Sequence, residues 1–163
     1  MNQILILCIE DEAEVREALV RDLAGYRPLF RVEAAEDAAD ARAVLREAEA
    51  RGDRVGLILC DHLLPGQHGV DLLIELHREP ATRATRKVLI TGQAGLEDTI
   101  RAVNQAGLHH YIAKPWQPAE LGAVVRAQLT EYVLAVEDDL LSYISVLDGA
   151  RLLEAIAQRK TFQ

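Results

Sequence analysis

The sequence predicts a doubly wound α/β fold: five parallel strands covered on both faces by helices, with a helical extension at the C-terminal end. Three observations predict it. Short apolar runs alternate with longer amphipathic segments over most of the 163 residues. At least three of those runs are apolar on both faces, as strands buried between two helical layers must be. Glycines at Gly25, Gly52, Gly69, Gly95 and Gly107 punctuate the boundaries.

The elements follow in order. Gln3–Ile9 reads as the first strand and Glu12–Gly25 as the first helix, with Val15, Leu19, Val20 and Leu23 as its apolar stripe. Leu29–Ala35 is the second strand, and Asp37–Arg51 the second helix, striped by Ala41, Val44, Leu45 and Ala48. Val55–Cys60, Lys87–Thr91 and His109–Ala113 are the remaining strands, separated by helices over Val70–Glu79 and Leu96–Ala106. The fifth helix begins near Pro118. Leu121, Val124, Val125, Leu129, Tyr132, Val136, Leu140, Tyr143, Ile144 and Leu147 then recur at helical spacing, which predicts about 30 residues of continuous helix up to Gly149. A short helix over Ala150–Arg159 follows the glycine, and the chain divides into a domain of residues 1–130 and an extension of residues 131–163.

Composition narrows the function. Half the residues are hydrophobic and only 4% aromatic, so Leu, Val, Ile and Ala build a core that needs no disulfide or metal staple. Eighteen Lys and Arg stand against 26 Asp and Glu, a net charge of −8, which argues against direct nucleic-acid binding. Cys8 and Cys60 lie inside apolar runs with no further cysteine to complete a metal set, which fits packing roles in a reducing cytoplasm. Met1–Ile9 has no basic leader, and its six-residue apolar stretch, ending before Glu10, is too short for a signal core or a span. No membrane contact is expected.

In open parallel sheets, chemistry gathers at the carboxyl ends of the strands. Those positions here are Glu10, Asp11 and Glu12 after the first strand, Asp61 after the third, Thr91 after the fourth, and Lys114-Pro115 after the fifth. Carboxylates crowded on one rim repel unless a cation neutralises them, and an oxygen-only set suits Mg²⁺. A lysine and a hydroxyl opposite them suit phosphoryl oxygens.

These residues resemble the receiver domain of two-component response regulators. The resemblance rests on Ile-Glu-Asp-Glu at 9–12, on Asp61 with Pro65 four and Gly69 eight residues later, on Leu-Ile-Thr-Gly at 89–92, and on Tyr-Ile-Ala-Lys-Pro at 111–115. It covers residues 3 to about 130. It implies a flavodoxin-like sheet of strand order 2-1-3-4-5 and a signalling switch in place of an enzyme. Asp61 would be the phosphoacceptor, taking the group from a sensor histidine kinase or a histidine phosphotransfer protein. Asp11 would ligate Mg²⁺ directly and Glu10 through water, with Asp61 and the backbone carbonyl of Leu63 completing the protein share. Lys114 would pair with Asp61 and then with the phosphoryl group, Thr91 would move to hydrogen-bond it, and Tyr111 would be the aromatic switch.

Three departures from the family pattern bear on detail. Glu10 stands where Asp is commoner, and Leu63 and Gln93 occupy positions that tune how fast the phosphoryl group hydrolyses. An apolar Leu63 cannot position the attacking water. The rival on a similar sheet, an aspartyl-phosphate phosphatase or phosphotransferase, wants its nucleophilic Asp after the first strand with a second Asp two residues on, whereas Asp11 is followed by Glu12 and Ala13. A nucleotide- or flavin-binding module would want a glycine-rich phosphate loop, not acids, at that place. His62, His68, His109 and His110 lack coherent ligand spacing and read as loop or surface residues, while Trp116 reads as a packing residue beside the rim. The apolar stripe of Tyr132, Val136, Leu140, Tyr143 and Leu147 needs a cover, and three are open to it: its own domain, a second copy of the chain, or an output domain that the helix leads to; of these the leading expectation is a homodimer through the C-terminal helices.

Overall fold

A computed structural model of the chain describes residues 3–92 and 95–161. Its core is a five-stranded parallel sheet ordered β2-β1-β3-β4-β5. The strands are β1 (Ile4–Ile9), β2 (Phe30–Ala35), β3 (Arg54–Cys60), β4 (Arg86–Ile90) and β5 (His110–Ile112), and the helices are α1 (Ala13–Asp22), α2 (Ala38–Ala50), α3 (Gly69–Arg78), α4 (Leu96–Gln105), α5 (Pro118–Val136) and α6 (Gly149–Thr161). Every residue of β1 is buried, and so is all of β3 after Arg54. The continuous apolar runs thus mark central parallel strands, as the sequence predicts.

Alternation along the strands separates two cores. Ile4, Ile6, Cys8, Leu57, Leu59, Val88 and Ile90 pack with Leu19 and Leu23 of α1 and with Leu121, Val125 and Leu129 of α5. Leu5, Leu7, Ile9, Ile58, Cys60 and Leu89 pack with α2, α3 and α4 on the other face. Cys8 and Cys60 therefore occupy opposite faces although their strands are neighbours. Both thiols are free, and burial pushes Cys8 up to about 12 and Cys60 up as well.

Two glycines are fixed by close approach. A Cβ on Gly56 would lie 2.7 Å from Ile4 Cγ2 and 3.1 Å from the Tyr132 ring, so the bare backbone lets α5 lie against the sheet. A Cβ on Gly69 would fall 1.9 Å from the carbonyl oxygen of Asp61, so only glycine lets α3 start directly over the exit of β3.

The tail departs from expectation. α5 is not the first part of a helix running to Gly149: it has 19 residues and ends at Val136, where Glu137 turns to extended backbone. The chain then doubles back through a short helical turn, Leu141–Tyr143, into α6. Leu140, Leu147 and Leu152 are buried in the core formed by Phe30, Leu129, Tyr132 and Val133, and the Tyr143 ring lies 5.8 Å from that of Phe30. Polar bonds fasten the return. Arg159 donates to the carbonyls of Leu134 (2.9 Å) and Glu137 (3.0 Å), answering the open end of α5, and Arg54 pairs with Glu137. The Asp148 N–H donates to Thr130 Oγ1 at 3.1 Å, while its carboxylate accepts from the Arg151 N–H and caps α6.

That packing corrects the dimer expectation at its root. Tyr132, Leu140 and Leu147 are 3%, 2% and 5% exposed, and Tyr143 and Val136 pack against the same core. The stripe that was to meet a second copy is covered by the chain's own last residues.

Candidate functional site

The carboxyl ends of β1, β3, β4 and β5 form one rim, and a cleft of about 330 Å³ there is lined by Asp11, Glu12, Asp61, Leu63, Thr91, Gly92 and Lys114. Asp61 leaves β3 with its N–H donated to the Ile9 carbonyl (3.0 Å), which ties the third strand's exit to the first. Its side chain is 5% exposed as a residue, Oδ2 accepts from Lys114 Nζ at 3.0 Å, and Oδ1 is buried without a partner among the described residues.

Glu10 is fully buried. One carboxylate oxygen accepts from the Glu12 N–H at 3.2 Å, and the other meets Lys114 Nζ. Burial raises the Glu10 carboxyl pKa against the pull of the Lys114 bond. Burial also works against the Lys114 ammonium, but its bonds to Glu10 and Asp61 outweigh that and hold its pKa above the usual lysine value. The longer Glu side chain thus reaches the lysine directly.

Carboxylate oxygens of Glu10, Asp11 and Asp61 lie within 4.8 Å of one another. Asp11 is exposed at the mouth, whereas Glu10 is saturated by its own bonds. The turn that presents them is pinned by Arg16, a residue the sequence reading passed over, whose guanidinium donates to the carbonyls of Glu10 (2.9 Å) and Asp11 (3.4 Å). A lone base in the acidic first turns of α1 was the available signal.

Thr91 is 2% exposed; its N–H donates to the Ile112 carbonyl at 3.0 Å, and its own carbonyl accepts from the Tyr111 hydroxyl at 2.8 Å. The two switch candidates are therefore joined through backbone on adjacent strands. Leu63 is 41% exposed at the cleft edge. Gln93 lies outside the described residues. Trp116 sits beside the rim with its indole N–H on Asp22 (2.9 Å). His62, read as a loop or surface residue, lies in a loop but is 3% exposed, with Nε2 3.2 Å from Asp98 Oδ2 on α4. His109 also turns inward, its Nδ1 accepting the Lys87 N–H at 3.0 Å.

A sheet of this order with acids, lysine and threonine on one rim is the arrangement that the resemblance to receiver domains implies, and sequence comparison shows the family. Residues 6–126 match the response regulator receiver domain. The chain belongs to that family. It is 36% identical over 137 residues to the hydrogenase transcriptional regulatory protein HoxA of Bradyrhizobium diazoefficiens, covering 82% of this chain and 26% of that protein. To the phosphate regulon transcriptional regulatory protein PhoB of Escherichia coli it is 35% identical over 136 residues, 82% of this chain and 55% of that protein. The chain thus spans between a quarter and about half of these relatives. Among solved structures, a CheY-like response regulator receiver domain protein from Methanospirillum hungatei superimposes with a TM-score of 0.68 at 27% identity, over 80% of this chain and 97% of that one. The signal receiver domain of an HD domain-containing protein from Pseudomonas fluorescens gives 0.71 at 24%, covering 85% and 96%, a likeness of fold.

The donor set fits Mg²⁺: oxygen ligands alone, Asp11 and Asp61 at the cleft, and a buried Asp61 Oδ1 without a partner among the described residues. No described helix is long and apolar enough to cross a membrane.

Proposed function

We propose that this chain is a cytoplasmic signalling switch that accepts a phosphoryl group on Asp61 from the phosphohistidine of a sensor histidine kinase or histidine phosphotransfer protein. The observation that carries the reading is the half-satisfied Asp61 carboxylate, with one oxygen on Lys114 and the other buried and unpartnered, at the floor of an acid-lined cleft. Residues 1–130 carry the switch, and of the extension, residues 131–163, the described part to Thr161 packs at the opposite end of the sheet.

An Asp61 oxygen attacks phosphorus, the phosphorus–nitrogen bond to the donor imidazole breaks, and that imidazole leaves with the electron pair. The transition state is loose, so the protein's task is to position the groups and offset charge. Asp11, Asp61 and the Leu63 carbonyl, with Glu10 behind them, would hold Mg²⁺, which would supply charge neutralisation for the phosphoryl oxygens. Lys114, already on Asp61 Oδ2, swings its ammonium to a phosphoryl oxygen. Thr91 supplies a hydroxyl to another, and because the Tyr111 phenol hangs on the Thr91 carbonyl, displacement of Thr91 moves a ring that packs on the α4 face of the sheet. The solvent-facing Leu63 cannot orient water, which favours a long-lived acyl phosphate unless Gln93 takes that part.

Incubation with acetyl phosphate and Mg²⁺, followed by intact mass and peptide mapping, tests this. One phosphoryl group on Asp61, absent in Asp61→Asn, is expected. Stoichiometric label that persists in Asp61→Asn overturns the assignment.

A further inference from the structure

Among the described side chains, little apolar surface holds α4 in place. Of these side chains, Ala102 within it and Ala106 just past its end are buried, while Ile100 and Val103 stand 50% and 53% exposed. Two alanine side chains bury little area, so this helix belongs to the easily displaced part of the fold. Its other anchors are polar. Arg101 donates to Asp71 Oδ1 on α3 at 2.6 Å and to Asp98 Oδ1 at 3.0 Å, and Asp98 Oδ2 meets His62 Nε2 at 3.2 Å.

His62 directly follows Asp61, and its carbonyl and both ring nitrogens are engaged. Its carbonyl accepts the N–H groups of Gly69 (2.8 Å) and Leu64 (3.1 Å), fixing the exit of β3 to the start of α3. Its Nδ1 faces the Val70 N–H at 3.5 Å, so one tautomer, with hydrogen on Nε2 and none on Nδ1, satisfies both ring contacts. The His68 ring closes the other side, its centroid 4.9 Å away in an edge-on arrangement. The imidazole is thus a rigid strut between the residue after Asp61 and the first turn of α4.

We propose that His62 is a positioning residue that ties the placement of α4 to the state of Asp61, acting through Asp98. The proposal rests on the reading of Asp61 as phosphoacceptor and adds the route by which a change there reaches α4 without passing through Thr91 or Tyr111. Asp98 has two competing anchors: His62, which follows Asp61, and Arg101, which follows Asp71 on α3. A small displacement of the β3 exit changes the balance between them, and a helix held by two alanines responds.

Space-filling and tethering make opposite forecasts for two variants. His62→Phe keeps the ring and loses the donor. His62→Gln loses the ring and keeps an N–H near the Nε2 position. Amide exchange across residues 95–105 is measured in the full chain, before and after acetyl phosphate with Mg²⁺, for both variants and for Asp98→Ala. Loss of the tether should speed α4 exchange about fivefold in unphosphorylated His62→Phe and Asp98→Ala. Both should still take label on Asp61 but lose the phosphorylation-linked change in α4, and His62→Gln should restore it. The proposal is overturned if unphosphorylated α4 exchange is unchanged in His62→Phe and Asp98→Ala, if His62→Phe keeps the wild-type response, or if Phe is milder than Gln. A wild-type chain that takes no label refutes the acceptor reading instead, and the unphosphorylated comparison still decides the tether.

Discussion

Two lysines, one half-buried and one fully buried, stand at opposite ends of the same sheet, and their partners differ in kind. Lys114, beyond β5, is held by the carboxylates of Glu10 and Asp61. Lys87, in β4 near its start, is completely buried and donates to the carbonyls of Thr82 (2.9 Å), Thr85 (2.8 Å) and, more weakly, Arg83 (3.5 Å). Anionic partners hold the Lys114 pKa above the ordinary value, whereas burial, with Arg86 adding to it, brings Lys87 from 10.5 down to about 8. The three carbonyls use all three donors of Lys87, so it staples the loop before β4 and has nothing left for a ligand. Lys114 keeps a donor in hand among the described residues, beside a cleft. One ammonium thus has acids as partners at an open rim, and the other has backbone carbonyls as partners in a closed end.

The largest test of this contrast concerns the closed end. Ending the chain at Thr130 removes Tyr132, Val133, Leu140, Leu147 and Leu152 from the core. At about 1.5–3 kcal/mol for each buried side chain, partly offset by the freed entropy of the tail, stability should fall by more than about 5 kcal/mol. Leu152→Ala alone should cost about 2–5 kcal/mol in a urea titration. The full chain should sediment as a monomer at tens of micromolar. A truncated chain that melts with the full one would show that the tail is an accessory and would reopen the helix-mediated dimer.

How much of this was legible beforehand follows from what each signal encodes. The sheet and the rim were readable because parallel strands buried on both faces leave unbroken apolar runs, and the residues ending them fall at fixed offsets: Asp11, Asp61, Thr91 and Lys114 are brought together as expected. The tail was not, because spacing by three and four continues when a chain reverses just as when a helix runs on. Glu137-Asp138-Asp139 was the interruption, and Asp148 before Gly149 was a second helix's cap. His62 lies in a loop as read, but its burial was not legible because its neighbours, His68 and Asp98, come from later in the chain. Lys87 looked like an ordinary strand start, since the carbonyls that hold it belong to an irregular loop without a pattern.

A sharper test sets the two lysines side by side. Lys114→Met leaves Glu10 and Asp61 facing each other without a cation, and breaking a buried pair in this way costs about 3–5 kcal/mol in metal-free buffer. Phosphorylation-linked changes should disappear with it. Lys87→Met should instead label on Asp61 as wild type does. Loss of labelling in Lys87→Met would erase the functional distinction between the two ends.

The smallest effect separates them by pH. Lys87 has a folded pKa of about 8 against an ordinary 10.5, so between those values the unfolded chain binds more protons than the folded one. Stability therefore rises with pH across that window, by at most about 3 kcal/mol from this group. Lys114 has the opposite sign: its raised folded pKa contributes stability that is complete below 10.5 and is lost only as pH climbs past the folded value. Urea midpoints between pH 7.5 and 10.5 should climb in the wild-type chain and flatten in Lys87→Met, while Arg86, which faces the same ammonium, stays charged throughout. A midpoint that falls over this range, or a climb that survives in Lys87→Met, would mean that the ammonium at the closed end is not held at a cost, and the contrast with Lys114 would lose its physical basis.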